Sequence, residues 1–430
     1  MQEIKERVPV VTAFLYQGGK VALLKRSDKV GTYRGAWAGF SGYIEQLPLD
    51  QARQEIYEEA GVVDGDCRLS GIGIPTPVDD IENEKQWLVF PFLFNLNDGV
   101  EIETDWETEE WGWFSPDELH DLQTVPGLKA VFQQVWPPFG DQEFWDGLGE
   151  IATNTEFGAT ELARRGLNVL GAFVQSNWDD LNHRRLLRAI RAFASVRPTM
   201  GVFPNLTARL LLGIERDGGQ YDFDELLTEL ISALEDSTDL SIQTAADALR
   251  DKRHIFTLSY SEAVRDTLIQ LRGGIEVLIA ESAPGLEGLR LAEHLRDQGI
   301  SFETVSDKDI VTAVGRSDAV LVGCDAITEG DELINKVGTR TAVAAAKEAG
   351  IPAFAVAQTV KIMPAGWPVF LERQKVEGKQ GGEVIFDVTP LEMFDAILTE
   401  EGPISRERIA EIRSELGSTE LLAVEMLSRT

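Results

Sequence analysis

Three glutamates, Glu55, Glu58 and Glu59, lie within "QEIYEEAGV", a stretch closed by Gly61. Spaced i, i+3 and i+4, their carboxylates share one face of a helix. An all-oxygen set suits a hard cation that keeps some of its waters, so Mg²⁺ or Mn²⁺ is the expected guest. The same spacing also describes a solvated helix face, because the chain holds 72 acidic against 40 basic residues. Context favours the metal. Gly42 and Glu45 of "SGYIE" precede the trio, and two apolar runs precede those. Glu109 and Glu110 are candidates for a further ligand.

A second group lies in the C-terminal half. Asp325 follows the apolar run "AVLVG". A carboxylate just beyond a buried strand can face a ligand. Asn335 and Lys336 follow a Gly-Asp turn and are expected to open a helix. A helix start offers N–H groups and partial positive charge to phosphate, and Lys336 adds a full charge. Singly, Asp325 reads equally as a turn residue and Lys336 as a surface lysine.

The elements that must position these groups follow from period and punctuation. Residues 7–25 read as two strands around a Gly-Gly turn. "GTYRGAWAGFSGYIE" reads as a functional loop, Leu49–Ala60 as a helix and "KQWLVFPFLFNL" as a buried strand. "WETEEWGWFSPDEL" reads as a loop, a strand and a helix start capped by Ser115, with Asp117 and Glu118 in the first turn. Pro137–Pro138 marks a linker near 135–147. From about Ile151 to Arg250 the period is helical. From His254, short β-branched runs alternate with helices, the pattern of a doubly wound parallel sheet. The expected division is 1–138, a helical subdomain over 147–250, and a Rossmann-like domain over 251–430.

The net charge of −32 is spread along the chain, with arginine outnumbering lysine roughly two to one. This fits solubility in a high-salt cytosol, or an acidic protein of an ordinary cell. Either way it disfavours general binding to nucleic acid. No apolar run reaches the roughly 18–20 residues that span a bilayer, and "MQEIKERVPV" has no signal core. A cytoplasmic location without membrane contact is expected. Two cysteines, Cys67 and Cys324, exclude a disulfide framework.

The N-terminal pattern resembles the Nudix hydrolase family. Gly42, Glu55, Ile56, Glu58, Glu59, Gly61 and Val62 match its box. The span from Gly42 to Gly61 is two residues shorter than the box, and Gln54 stands where the family has arginine. The resemblance, over roughly residues 7–135, implies an α/β/α sandwich. It also implies cleavage of a nucleoside diphosphate linked to another moiety. Glu55, Glu58 and Glu59 would hold metal, and Glu58 or Glu59 would serve catalysis.

The C-terminal half resembles the alpha/beta/delta subunit family of translation initiation factor 2B. Its relatives include ribose-1,5-bisphosphate and methylthioribose-1-phosphate isomerases. "TLSYSEAV", "ESAPGLEGLRLA", "VGCDAITEGDELINKVGT" and "FDVTPLEMFDAILTEEG" carry the likeness. It implies a pocket for a sugar phosphate or nucleotide built from Ser259, Ser261, Arg290, Asn335 and Lys336, with Asp325 as its catalytic residue. It also implies a homo-oligomer formed through this half. Ser259 occupies the position of the isomerases' cysteine, and Ala283 that of an arginine. A hydroxyl is a far weaker acid than a thiol. The half therefore reads first as a binding or regulatory domain, with isomerase activity as the alternative.

Overall fold

The computed structural model describes residues 6–81, 83–177, 182–216, 222–376 and 381–417. The chain divides into two units. The first comprises Met1–Thr155, Asn168–Pro198 and Arg373–Glu383, the second Glu156–Leu167, Thr199–Glu372 and Val384–Thr430.

The first unit is built on a mixed sheet. β1 (Glu6–Gln17) and β2 (Lys20–Arg26) form the expected hairpin around Gly18–Gly19, both at positive φ. β3 (Trp37–Ala38) and β4 (Phe40–Tyr43) follow, so part of the aromatic segment read as a loop is strand. Main-chain pairing of β4 with β1 outweighs its glycine content. Helix α1 (Pro48–Ala60) starts on a proline, whose missing N–H costs nothing there, and ends at left-handed Gly61. β5 (Cys67–Ile72), β6 (Thr76–Asp80), β7 (Lys85–Leu96) and β8 (Thr108–Phe114) complete an eight-stranded sheet. Only β1 and β7 run parallel in it.

Ser115 does not cap an α-helix. Its N–H and Oγ both donate to Glu118 at 2.6 and 2.8 Å, closing a loop before a single 3₁₀ turn, Glu118–His120. Helix α2 (Leu128–Val135) ends at the proline pair, and α3 (Gln142–Thr153) begins soon after, so the connection is only 136–141. α4 (Ala159–Asn177) and α5 (His183–Ser195) follow.

Val10, Phe14 and Tyr16 pack with Leu128, Val131 and Phe132 of α2. Gly42 is the register partner of Val11 and faces α1. Alternation along β1 therefore sets α1 and α2 on opposite faces, giving an α/β/α sandwich.

The second unit begins with helices, as the 3.6-residue period predicts. They are α6 (Val202–Arg216) and α7 (Phe223–Ala248). Then β9 (His254–Leu258), α8 (Glu262–Gln270), β10 (Glu276–Ala280), α9 (Glu287–Asp297) and β11 (Ser301–Val305) alternate. α10 (Ile310–Val314), β12 (Ala319–Val322), β13 (Ala326–Ile327) and β14 (Glu332–Lys336) come next. α11 (Thr339–Ala349) and β15 (Ala353–Val356) follow; the pair β16 (Arg373–Lys375) and β17 (Gly382–Val384) belongs to the first unit as far as Glu383. β18 (Phe386–Pro390), β19 (Ala396–Thr399), β20 (Gly402–Pro403) and α12 (Arg406–Leu416) complete the described chain.

The main sheet runs β11-β10-β9-β12-β15-β19-β20. Its first six strands are parallel, and their spatial order is that of a dinucleotide fold. Phe256, Leu278 and Val320 are buried on one face, Ile255, Val277 and Leu321 on the other. Helices cover both. The strand order reverses between β9 and β12, where ligands bind such sheets.

Asn335 and Lys336 contradict the reading of a helix start. They close strand β14, which pairs with β13 and β18, and the helix begins only at Thr339.

Candidate functional site

The floor of the first site is β4. Glu55 and Glu59 leave α1 toward it, each 9% exposed. The Glu55 carboxylate lies against Gly42, where any Cβ would stand 2.0 Å from Oε1. Only glycine leaves it room. Gln51 Nε2 donates to the same oxygen at 2.7 Å, and Gln51 Oε1 accepts the Glu45 N–H at 3.1 Å. Ser41 N–H donates to Glu59 at 3.3 Å. The main chain at Gly382 lies directly on the Glu45 carbonyl.

Burial pushes the Glu55 carboxyl up to about 7; the Gln51 hydrogen bond opposes this, and Glu58, Glu107 and Glu45 add to it. Burial also holds Glu59 well above the carboxylate range, with repulsion from Glu55, Glu107 and Asp105 adding and the Ser41 N–H opposing. No basic side chain figures among these neighbours.

Glu58 stands apart. It is exposed, and Gln54 Nε2 donates to it at 2.5 Å. Arg53 does not take over from Gln54, since it faces Asp50 and Asp64 at 3.7 Å each. Glu109 and Glu110, expected as spare ligands, flank Lys25 at 3.5 and 3.6 Å.

Among the described residues, no three His, Cys, Asp or Glu side chains gather as a metal-binding group. The buried pair does fit a hard cation. It offers oxygen donors only, and among the described residues no cation offsets its mutual repulsion. The pattern identified the glutamates. Gln51, four residues before Glu55 on the same face, was a readable signal that the sequence reading missed, as was Glu107.

The second site lies at the carboxyl ends of β9, β10 and β12. Ser259 adopts φ +62 and Ser282 φ +66, and Ser259 N–H donates to Ser282 Oγ at 2.7 Å. Asp307 accepts from the N–H groups of Ser282 and Ala283 at 2.8 and 2.7 Å, which fixes the loop. Ser261 caps α8. A Cβ on Gly323 would lie 2.9 Å from Ser261 Oγ and 3.4 Å from Asn335 Oδ1, so these groups converge there. Asp325 is half-buried two residues on, its N–H bonded to the Ile334 carbonyl at 2.8 Å.

The cations expected to hold phosphate have internal partners. Lys336, 4% exposed, donates to Glu287 at 2.7 Å. The Arg290 guanidinium stacks 3.7 Å above the Tyr260 ring. The N-terminus of α11 is also occupied: Asp387 accepts from the Gly338 and Arg340 N–H groups at 2.8 and 3.1 Å. Lys361, which the sequence reading did not single out, is 5% exposed and donates to the Cys324 carbonyl at 2.6 Å. Cys324 is buried, which pushes its thiol up to about 12. It offers no thiolate in place of the missing cysteine.

Residues 155–406 match the Initiation factor 2 subunit family. The chain belongs to that family. Residues 6–135 match the NUDIX domain. A family member of Pyrococcus horikoshii, a translation initiation factor eIF-2B subunit 2-like protein, is 28% identical over 59% of this chain and 94% of its own. Ribose 1,5-bisphosphate isomerase of Methanocaldococcus jannaschii is 30% identical over 49% of this chain and 73% of its own. The crystal structure of Pyrococcus horikoshii translation initiation factor eIF-2B is similar with a TM-score of 0.56 at 26% identity. That likeness covers 63% of this chain and 99% of the other. The initiation factor 2 likeness thus spans the whole doubly wound sheet, and the NUDIX match spans the sandwich strands with α1 and α2.

Proposed function

We propose that the first unit hydrolyses a nucleoside-diphosphate-like compound at α1 and β4, and that the second unit binds a phosphorylated ribose compound at the β9/β12 reversal. The observation that carries the first part is the buried Glu55–Glu59 pair seated on Gly42 and Ser41, with no basic partner among the described residues. Mg²⁺ or Mn²⁺ bound there would neutralise the diphosphate against which it sits. Glu55 holds the site open against Gly42 and is itself fixed by Gln51. Glu59, whose carboxyl is biased toward binding a proton, is placed to take one from an attacking water. Glu58 acts from the exposed side, oriented by the amide of Gln54 rather than by a charge.

Phosphate release from a panel of nucleoside diphosphate derivatives with Mg²⁺ tests this. Glu59→Gln is expected to slow it by roughly 100-fold or more. Release at an unchanged rate in Glu59→Gln and in Glu58→Gln would sink the reading.

A second reading makes the C-terminal unit a sugar-phosphate isomerase. It is favoured by Asp325 at the strand reversal and by the isomerases among the relatives. Ser259 in place of a thiol counts against it. Turnover of ribose 1,5-bisphosphate that disappears in Asp325→Asn would establish it. Assembly into a homo-oligomer through this unit is part of the main proposal, supported by family resemblance alone.

A further inference from the structure

Helix α5 carries arginines at 184, 188 and 191, spaced i, i+4 and i+7 and therefore on one face. They run inward from solvent. Arg184 is exposed, Arg188 half-buried and Arg191 only 7% exposed. Arg188 spends one N–H on the Val135 carbonyl at 2.9 Å and stands 5.5 Å from the Phe139 ring. Arg191 makes no side-chain hydrogen bond or ion pair among the described residues, and its Nε is sealed from solvent without a partner. Arg185 lies beside the stripe, over Phe139 and Phe173 at 5.8 and 5.3 Å.

This arrangement is unusual in a chain of 72 acidic residues. Other arginines here have carboxylates. Arg164 and Arg165 share Glu161, Arg265 has Asp266, and Arg408 has Glu401. Buried Arg209 faces Glu400, Glu401 and Glu415. Among the described residues Arg188 and Arg191 have no such neighbour. Burial pushes Arg188 down to about 10, with Arg191 and Arg184 adding to the shift, and burial lowers Arg191 as well. A buried charge without a counterion is costly, and the remedy is an anion or hydrogen-bonded partner.

We propose that the 184–188–191 face of α5 is an anion site that takes the phosphate group of a small ligand. Arg188 and Arg191 are one turn apart, a rise of about 4.5 Å, which suits two guanidinium groups on one phosphate. The depth of Arg191 favours a small ligand over a docked macromolecule, and the net charge of −32 disfavours a polyanion. The site is separate from the α1–β4 carboxylates and independent of the hydrolase reading.

The test is thermal unfolding of the full chain in EDTA. Ten-millimolar-range inorganic phosphate is compared with sodium chloride at equal ionic strength, which separates binding from screening. Phosphate is expected to raise Tm by roughly 2 °C or more beyond chloride. Arg191→Met is expected to raise Tm without phosphate, because it removes an uncompensated charge while keeping the volume, and to abolish the phosphate increment. Arg184→Gln, at an exposed position, is expected to reduce that increment by at least half. Equal Tm in phosphate and chloride overturns the proposal. So does a full increment in Arg191→Met or, should that variant not fold, in Arg184→Gln. A phosphate increment that appears only together with dimer formation, read by sedimentation, also overturns it, assigning the face to a second copy.

Discussion

Gly42 and Glu55 form one structural unit, although they lie on different elements. The carboxylate occupies the space a side chain at Gly42 would need. Gly42→Ala is therefore expected to cost about 1–3 kcal/mol by overpacking and to lower phosphate release in parallel; urea unfolding and the release assay check both. The raised pKa of Glu55 has a consequence of definite sign. In the folded chain its carboxyl titrates at about 7, against 4.5 when unperturbed. Between these values the folded state binds the extra proton, so stability is full at low pH and falls as pH rises toward 7. In metal-free buffer Glu55→Gln, which cannot ionise, is expected to gain stability over the unaltered chain at pH 8 but little at pH 4.5. The gain is about 3 kcal/mol at most, measured by denaturant midpoints across pH. An equal difference at both pH values would show that Glu55 carries no such penalty. Mg²⁺ added at pH 8 is expected to stabilise the unaltered chain more than the variant, since only the former presents both carboxylates.

At the scale of elements, the helices and the parallel strands were legible because their apolar periods are long and their ends are marked. Pro48 and Gly61 bound α1, and both faces of β9, β10 and β12 are apolar. The segment "DELINKVGT" was not legible. Its Gly-Asp turn looks like a helix entry, but pairing with the distant β18 makes it a strand. A tertiary partner overrode the local signal. That strand buries Lys336, which no rule about surface lysines anticipates, and Glu287 from α9 provides the partner. The side chains of Lys336 and Glu287 are 5% and 22% exposed. Lys336→Met alone is expected to cost about 3–5 kcal/mol, because it strands a largely buried carboxylate. The double variant with Glu287→Leu is expected to recover most of that loss. A single variant as stable as the double would show the pair to be dispensable, and a double-mutant cycle in urea measures the difference. The same pairing means that a lysine and a helix position do not by themselves make a phosphate site at this end of the sheet. The charge of Lys336 is shared with Glu287, and the helix N-terminus is held by Asp387.

For the whole molecule, the dominant long-range force is its own charge. Thirty-two excess negative charges on 430 residues repel one another in the compact state, and the unfolded chain relieves that repulsion by expanding. Local ion pairs offset little of it. The Arg316–Glu303 and Arg408–Glu401 pairs are on the surface, where water and salt screen them. The buried acids Glu55 and Glu59 relieve part of the repulsion by holding protons more readily than free carboxylates do. Salt shortens the Debye length from about 10 Å at 0.1 M to about 3 Å at 1 M. Tm is therefore expected to climb by several degrees between 0.1 and 1 M potassium chloride and to flatten above that, once screening is shorter than the spacing of surface charges. An uncharged osmolyte at equal osmolality separates screening from solvent exclusion, because only salt acts on charge. If Tm were flat in chloride, or rose equally in the osmolyte, the acidic surface would not be what limits stability. Salt adaptation would then have no support from the charge of this chain.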